Sequence, residues 1–276
     1  MAKEIVKPEA LLHYTEETIS AYSNLLGREV AVNMLLPPDC SMSKIKYPLL
    51  LLNDGQDMKA LKVREAVEKL VEDSQIENII VAGVVAGDRL QEYGVAFQRD
   101  YLKRGRSAKA YTKYVTTELI PYLLYKFPVQ PDNECHTIAG CSMGGLSAMD
   151  LAWNHPDIFK KVGVFSGSFW WRKRDSLSRF YSDHRDRLMH RQVRNGKKKE
   201  GLKFWFQTGT LDEQGDRNKN GVIDSIDDTL DLIVELTKKE YRPFYDIQYY
   251  ELEGGRHNLE TWAQAMPEFL KWAFGK

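Results

Sequence analysis

Short, uninterrupted apolar runs recur along this chain, and segments with helical periodicity lie between them. A strand that is buried on both faces has such a run, because neither face meets water. Alternation of buried strands with amphipathic helices is typical of a largely parallel sheet that helices cover on both faces. The sequence therefore predicts an α/β protein with a mostly parallel central sheet. The predicted strands are 49–52, 79–85, 137–139 and 162–165, with 204–206 and 247–250 as candidate extensions.

The remaining predicted elements are one strand of a different type and three helices. Apolar and polar residues alternate over 29–36, which indicates a half-exposed strand that we expect to be antiparallel at the edge of the sheet. The helical stripes lie at 61–71, 111–123 and 262–274. Pro121 and Pro267 fall inside two of them, and we expect a kink or an early end there because proline lacks the N–H group.

The balance of charges argues against nucleic acid and anionic membranes as partners. Lys plus Arg and Asp plus Glu each number 39, so the formal net charge is zero and no whole-protein field attracts an anionic surface. No run reaches the roughly 20 apolar residues of a membrane span, and the first residues lack the apolar core of a secretory signal. We therefore expect no nucleic-acid or membrane partner. As the sequence stands we expect a cytoplasmic protein, although an exported protein without its signal would have the same features. The sequence leaves the oligomeric state undetermined.

Residues 1–276 are expected to form a single domain, because α/β folds commonly use about 250 residues as one unit. Within this domain, residues 172–199 hold eleven Lys or Arg against three Asp. The same stretch has apolar residues at helical spacing, which predicts a basic, cap-like insertion over one end of the sheet. Two interpretations stay open: a solvated basic face, or a cap whose charge attracts an anionic substrate.

A candidate nucleophile lies directly after the predicted strand 137–139. The sequence GCSMG at 140–144 has the form G-x-S-x-G, and a helical segment follows it. Strand, G-x-S-x-G and helix together predict a sharp turn that exposes the serine hydroxyl above the sheet, with glycines where side chains would collide. We interpret Ser142 as the nucleophile. The alternative is a glycine-rich turn with a capping serine.

A serine nucleophile needs an imidazole to accept its proton and a carboxylate to orient that imidazole. The acid and then the histidine should follow the serine along the chain. His257 lies in a glycine-rich loop between the last predicted strand and the last helix, which makes it the candidate base. Asp212 follows the 204–206 strand and is the candidate acid, with Glu213 and Asp216 as alternatives.

Two backbone N–H groups are needed to stabilise the charge that develops on the carbonyl oxygen. We expect one from Met143, which directly follows the nucleophile at a helix N-terminus. The other should come from the loop 53–57 after the first buried strand, where we favour Gln56 and where Gly55 permits close approach of the backbone. The alternative for this loop is an ordinary turn.

Several segments, in this order, resemble the esterase family of α/β hydrolases that includes enterochelin esterases, esterase D, feruloyl esterases and mycobacterial mycolyltransferases. The resemblance implies the α/β-hydrolase fold and cleavage of an ester through an acyl-serine, and it places the family's acid at Asp212 and its histidine at His257. Trp170 and Trp171 could then line a substrate pocket. The His-Gly-Gly element of other hydrolases is absent. The similar segments are DGQ at 54–56, RLQEY at 89–93, ELIP at 118–121, GCSMGG at 140–145, FSGSFWW at 165–171, GTLD at 209–212 and GRH at 255–257.

A second motif occupies residues 216–227, directly after the candidate acid. Oxygen-bearing residues, a glycine and a final carboxylate follow the spacing of an EF-hand loop, which folds around one calcium ion. Aspartate at the last position replaces the usual glutamate, as in dockerins. The sequence predicts a structural Ca²⁺ site that fixes the stretch carrying the acid; the alternative is a solvated acidic turn. The candidate ligands are Asp216, Asn218, Asn220, the carbonyl of Val222, Asp224 and Asp227.

Taken together, these features indicate a serine carboxylic ester hydrolase that acts on a small-molecule ester through Ser142, Asp212 and His257. No cofactor is expected for the catalysis itself. Two alternatives remain: an acyltransferase, in which an alcohol replaces water at the acyl-serine, and a catalytically silent, calcium-dependent binding module.

Overall fold

The computed structural model describes residues 13–38, 40 and 45–276. In this part of the chain, eight strands form one sheet in the order β1-β2-β4-β3-β5-β6-β7-β8. Neighbouring strands from β4 to β8 along this order are parallel, whereas β2 is antiparallel to both β1 and β4. The predicted α/β class with a mostly parallel sheet is therefore confirmed. The strands are β1 (Thr15–Ser23), β2 (Arg28–Leu36), β3 (Leu49–Asn53), β4 (Ile80–Val84), β5 (His136–Cys141), β6 (Lys161–Phe165), β7 (Lys203–Leu211) and β8 (Ile247–Arg256).

Helices cover both faces of the sheet. Strand β3 shows why its sequence is continuously apolar: Leu49 and Leu51 enter one core cluster, and Leu50 and Leu52 enter the other. Helices α1 and α9 lie on the second face, where their apolar residues complete that cluster. The helices are α1 (Val63–Glu72), α2 (Arg89–Glu92), α3 (Ala108–Lys113), α4 (Ile120–Lys126), α5 (Met143–Asn154), α6 (Asp183–Asp186), α7 (Leu188–Asn195), α8 (Asp224–Thr237) and α9 (Leu259–Phe274).

The strand predicted at 29–36 is present as β2, but its expected place at the edge of the sheet was wrong. It is antiparallel, as expected, and it lies second in the order because β1 pairs with its outer side. Strand β1 is exposed at most of its positions. It therefore has no apolar run or alternation from which it could be predicted.

The two prolines have different effects on their helices. Pro121 lies in the first turn of α4, directly after a π-helical turn at Tyr114–Leu119. The chain is helical on both sides of Pro121, and the π-helical turn changes the hydrogen-bond pattern directly before the residue that lacks an N–H group. Pro267 lies inside α9, which nevertheless continues to Phe274. Met266 and Phe269 on either side of it are fully buried, so core packing supports the helix across the proline.

No helix in 13–38, 40 and 45–276 is long and apolar enough to cross a membrane. The first residues, from which the sequence analysis inferred the absence of a secretory signal, lie outside the described part of the chain. The basic segment 172–199 contains α6 and α7, and α7 packs against α8 and α5. The carboxyl ends of β5, β7 and β8 carry Ser142, Asp212 and His257, which brings these residues to one edge of the sheet.

Candidate active site

Ser142 occupies a sharp turn between β5 and α5. Its φ of 54° lies in the left-handed region, where a residue with a side chain is strained. An added Cβ would lie 2.5 Å from the Gly144 carbonyl group if placed at Gly140, and 2.9 Å from the Gly140 oxygen if placed at Gly145. The glycines of the motif are thus required by close backbone contact between the strand and the helix.

The Ser142 hydroxyl faces the imidazole of His257. Ser142 Oγ lies 2.9 Å from His257 Nε2, a distance at which the hydroxyl donates to a neutral imidazole. His257 directly follows β8, and its ring lies edge-on to Trp262 at a centroid distance of 5.1 Å. Trp262 Nε1 donates to Ser166 Oγ at 2.9 Å, which fixes the indole against the loop after β6.

Asp212 directly follows β7 and is buried, with 8% exposure. Its Oδ2 accepts the Gly209 N–H group at 3.1 Å. Its Oδ1 is buried and has no hydrogen-bond partner among the described residues. Asp212 and His257 line the same cavity and attract each other electrostatically. The two side chains therefore lie close together, but no hydrogen bond joins Asp212 to His257 among the described residues.

The local environment shifts the pKa of both groups away from their ordinary values. Burial raises the pKa of Asp212, and the Gly209 N–H group, the Ser166 hydroxyl and His257 oppose this rise. Removal of water from the ring lowers the pKa of His257, the Asp212 carboxylate opposes this fall, and the Arg89 guanidinium adds to it. A lowered pKa keeps the imidazole neutral, as a proton acceptor must be.

The candidate oxyanion groups lie on two elements that are linked through the end of β3. Met143 is the first residue of α5, and Gln56 lies in a 3₁₀ turn at Gly55–Asp57. The side chain of Gln56 is held at both ends, because its Nε2 donates to Asp54 Oδ1 at 3.0 Å and its Oε1 accepts from the Ala86 N–H group at 3.1 Å. Asn53 Nδ2 donates to the Gly144 carbonyl at 2.7 Å, which joins the loop to the start of α5.

Arg89 and Asp54 form a feature of this site to which the sequence analysis gave no role. Arg89 donates to both carboxylate oxygens of Asp54, at 2.7 and 2.9 Å, and its Nη2 lies 3.4 Å from the Cys141 carbonyl oxygen. The Asp54 N–H group donates to the buried hydroxyl of Tyr93 at 3.0 Å. The signal in the sequence was the RLQEY segment, in which the arginine and the tyrosine are one helical turn apart.

Ser168 is a second residue near the nucleophile that the sequence analysis did not single out. Its Oγ lies 3.2 Å from Ser142 Oγ, and its N–H group donates to the Ser142 carbonyl at 3.1 Å. Ser168 is buried. No spacing rule marks this serine, because its contact with Ser142 depends on the parallel pairing of β5 with β6.

A cavity of about 260 Å³ opens beside His257. Trp170 lines it, whereas Trp171 is fully buried in the core and presents no surface to a ligand. An added Cβ at Gly94 would lie 2.7 Å from the Trp171 ring, and one at Gly105 would lie 3.0 Å from it, so this indole packs tightly against both glycines. The lining residues are Ser166, Gly167, Trp170, Asp212, Glu213, Ser225 and His257.

The loop 216–227 brings most of its candidate ligands together. Asp216 accepts the N–H groups of Asn220 and Gly221 at 3.1 and 2.9 Å, and Gly221 has a φ of +87°. Asp227 Oδ2 lies 2.6 Å from the Asn218 amide and 2.9 Å from the Asn220 amide. Asp224 instead pairs with Arg217, and Val222 follows the turn. Among the described residues, no group of three His, Cys, Asp or Glu side chains is arranged to hold a metal ion.

Four of the eleven basic residues of the segment 172–199 form ion pairs: Lys173, Arg174, Arg187 and Arg194. Arg187 pairs with Asp228 at 2.5 Å, and Arg194 pairs with Glu235 at 3.2 Å, both on α8. Lys173 lies 3.8 Å from Asp186. These contacts favour a structural role for part of the basic residues, which bind the segment to the body of the protein.

Comparison with known proteins identifies the family. The family model described as "Putative esterase" matches residues 23–273. Among curated proteins, the uncharacterized protein YbbA of Bacillus subtilis is 24% identical over 142 residues, which are 50% of this chain and 56% of that protein. The uncharacterized protein YjcH of the same species is 22% identical over 251 residues, which are 91% of this chain and 93% of that protein.

Solved structures show the same fold. A ferulic acid esterase has a TM-score of 0.72 at 18% identity, covering 95% of this chain and 98% of that chain. Enterochelin esterase of Shigella flexneri has a TM-score of 0.72 at 19% identity, covering 94% of this chain and 57% of that chain. The predicted α/β-hydrolase fold is therefore confirmed. Since the family model matches most of its length, the chain belongs to this esterase family of α/β hydrolases.

Proposed function

We propose that this protein is a serine carboxylic ester hydrolase in which Ser142, His257 and Asp212 form the catalytic triad. The observation that carries the proposal is the 2.9 Å distance between Ser142 Oγ and His257 Nε2 at the tip of a strained strand-to-helix turn. The buried carboxylate of Asp212, which lines the same cavity as His257 and attracts it electrostatically, supports its role as the acid that orients the imidazole. The same contacts argue against a catalytically silent binding module, which does not need them.

The proposed reaction has two halves. Ser142 Oγ attacks the carbonyl carbon of the ester while its proton passes to His257 Nε2, and the charge on the carbonyl oxygen is stabilised by the N–H groups of Met143 and Gln56. His257 then gives the proton to the departing alcohol, which leaves an acyl-serine. Water repeats the sequence with His257 as base, so the acid is released and Ser142 regains its proton. No step requires a cofactor.

The substrate is proposed to be a small-molecule ester. Support comes from the neighbours of this chain, which carry the names ferulic acid esterase and enterochelin esterase, and from a cavity of about 260 Å³ beside His257. Transfer of the acyl group to an alcohol would use the same acyl-serine. Product analysis in the presence of added methanol or glycerol separates the two reactions, because transfer yields a new ester in place of the acid.

The test is hydrolysis of short-chain and medium-chain p-nitrophenyl esters by the wild-type protein, Ser142→Ala and Ser20→Ala. We expect Ser142→Ala to lower kcat by about 10⁴-fold or more, since the nucleophile is lost. Ser20→Ala, an exposed serine on β1, should retain wild-type rates. Equal rates in the wild type and Ser142→Ala would refute the serine mechanism.

A structural Ca²⁺ ion in the loop 216–227 is a separate proposal. The side chains of Asp216, Asn218, Asn220 and Asp227 converge, and the positive φ of Gly221 makes the turn that folds such a loop. Asp224 is held by Arg217 Nη1 at 3.0 Å. It falls at the loop position that commonly binds the ion through water, so this pairing is compatible with a bound ion.

The proposed ion would stabilise the segment that carries the triad acid. The Asp224 N–H group donates to the Gly215 carbonyl at 2.7 Å, which closes the loop three residues after Asp212. The backbone of Ser225 lies near the carboxylate of Glu213, the neighbour of Asp212. Fixing the loop therefore restricts the backbone on which Asp212 depends. The role is structural, because the loop ligands are separate from the residues that touch Ser142.

A further inference from the structure

A second cavity, of about 340 Å³, lies away from the candidate active site. Strands β1 and β2 form one side of it, and the helical residues 114–122 form the other. Strands β4 and β3 separate β2 from β5, the strand that leads to Ser142. Cavities that bind small molecules have volumes of roughly 300 to 1,000 Å³. This cavity is therefore large enough for a ligand that takes no part in the proposed reaction.

Most of the side chains that line this second cavity are apolar. Val30 and Val32 on β2 are buried, and their partners on β1 are Ala21 and Ile19. Because side chains of a strand alternate between its two faces, these four lie on the same face of the sheet. Leu119, at the end of the π-helical turn, is buried on the facing helical side. Together they form a surface that can pack against the carbon atoms of a ligand.

Two polar groups interrupt this apolar lining. Tyr114 is only 6% exposed, yet its hydroxyl has no hydrogen-bond partner among the described residues. Glu118 lies four residues further along the helical segment and lines the same cavity. Its Oε2 accepts the Ser23 hydroxyl at 2.6 Å, whereas its Oε1 has no partner in the part of the chain that the structure describes. Polar groups at buried positions are normally paired, so both groups have bonding capacity that a ligand can use.

The charge of the cavity is negative. Glu118 is the only charged residue among the described residues that line it. Arg28 acts on Tyr114 electrostatically, but its guanidinium is paired with both carboxylate oxygens of Glu92, at 2.7 Å each. Burial raises the pKa of Tyr114, Arg28 opposes this rise and Glu118 adds to it, so the Tyr114 hydroxyl stays neutral. A cationic ligand therefore complements this cavity, and an anionic one does not.

We propose that this cavity binds a small primary amine in its ammonium form. An ammonium group has three N–H donors and no acceptor, so it can donate to Glu118 Oε1 and to the Tyr114 oxygen at once. The carbon atoms of the amine pack against Val30, Val32 and Leu119. A neutral alcohol of the same shape lacks the charge, which makes its hydrogen bond to a carboxylate weaker than that of an ammonium group.

The experiment measures the binding of 2-phenylethylamine to the wild-type protein by isothermal titration calorimetry at neutral pH. The amine is protonated there. 2-Phenylethanol and 3-phenylpropanoate have the same ring on a similar chain and serve as the neutral and the anionic comparison. We expect the amine to bind about tenfold more tightly than the alcohol. The carboxylate should show no saturable binding, because Glu118 repels it.

Two variants test the polar groups. Glu118→Gln removes the charge and keeps an acceptor for the Ser23 hydroxyl, so it should weaken the binding of the amine by about tenfold and leave that of the alcohol unchanged. Tyr114→Phe removes one hydroxyl and keeps the ring, which should weaken the binding of the amine by about fivefold. Glu72→Gln is the matched control, since it changes an exposed acid on α1, on the opposite face of the sheet. It should keep the wild-type affinities.

A third variant tests the position of the ligand. Ala21→Phe, at an exposed position of β1, places a ring in the cavity and should abolish the binding of the amine and of the alcohol. This variant provides an independent test if Glu118→Gln or Tyr114→Phe fails to fold. Unchanged affinity for the amine in Ala21→Phe would place the amine elsewhere on the protein and overturn the proposal.

Other outcomes also overturn the proposal. They are the absence of saturable binding of the amine at millimolar concentration, or equal affinities for the amine, the alcohol and the carboxylate. Tighter binding of Nα-acetyl-lysine amide than of 2-phenylethylamine would identify a lysine side chain of a partner protein as the occupant. A dimer in analytical ultracentrifugation that Ala21→Phe dissociates would identify a second copy of the chain. None of these outcomes depends on ester hydrolysis, because the readout is binding.

Discussion

The guanidinium of Arg89 donates two hydrogen bonds, of 2.7 and 2.9 Å, to the buried carboxylate of Asp54. This pair connects three elements of the site. Asp54 accepts from the Gln56 side chain at 3.0 Å, and Arg89 reaches the Cys141 carbonyl beside the nucleophile. The loop of Gln56 is therefore fixed relative to Ser142 by an ion pair, and not only by the strand that precedes it.

Arg89→Met should change both the rate and its pH dependence. Loss of the ion pair frees the loop of Gln56, which should lower kcat by about tenfold or more through mispositioning. Because the Arg89 charge lowers the pKa of His257, its removal raises that pKa. The base must be neutral, so the acid limb of kcat/KM should move to higher pH. A pH–rate profile checks this; an unshifted limb would contradict it. Arg64→Met, on α1, should keep the wild-type profile.

Ser168→Ala should weaken catalysis with little effect on the fold. The Ser168 hydroxyl lies 3.2 Å from Ser142 Oγ and can hold its lone pairs in one orientation. We expect kcat to fall by about fivefold while KM changes little, since one hydrogen bond of about 1 kcal/mol is lost near the reacting atom. Ser176→Ala is the control. A raised KM at constant kcat would instead mean that Ser168 binds substrate.

The glycines Gly144 and Gly221 should respond differently to alanine. A Cβ at Gly144 would lie 2.7 Å from Asp54 Oδ2, whereas a Cβ at Gly221 would have no atom within 4 Å. Gly221→Ala should therefore lower the free energy of unfolding only by the cost of holding alanine in the left-handed conformation, about 1–2 kcal/mol. Gly144 lies in α5 and has no positive φ, but Gly144→Ala displaces the Asp54 carboxylate that Arg89 holds, so it should lose more stability and most activity. Chemical denaturation and ester hydrolysis measure the two effects; equal losses in both variants would contradict this.

Addition of Ca²⁺ to the metal-free protein should raise its Tm if the loop 216–227 binds the ion. Asp227→Asn should abolish this rise, because it removes the carboxylate at the final ligand position. Asp73→Asn, an acid after α1, should keep it. Differential scanning calorimetry with calcium and with chelator makes the comparison. A Tm that does not depend on calcium in the wild type would show that the loop is held by its own hydrogen bonds.

Several parts of the fold were predictable because their signal is local. The strands from β3 to β7 are buried on both faces or nearly so, and burial on both faces gives continuous apolar runs. The glycines around Ser142 mark a backbone crossing that admits no Cβ. In contrast, β1 left no pattern because most of its residues are exposed, and its pairing displaced β2 from the edge of the sheet.

The chain by itself determined which residue types are available and in what order: a serine in a strained turn, an acid after a strand, and a histidine before the last helix. Tertiary structure decided the rest. The parallel pairing of β5, β6, β7 and β8 brings their carboxyl ends together, so that His257 reaches Ser142 across 115 positions of sequence. Such long-range packing also places Arg89 and Ser168 near the nucleophile, and it buries Trp171 away from the cavity beside His257. No local spacing in the sequence encodes these contacts.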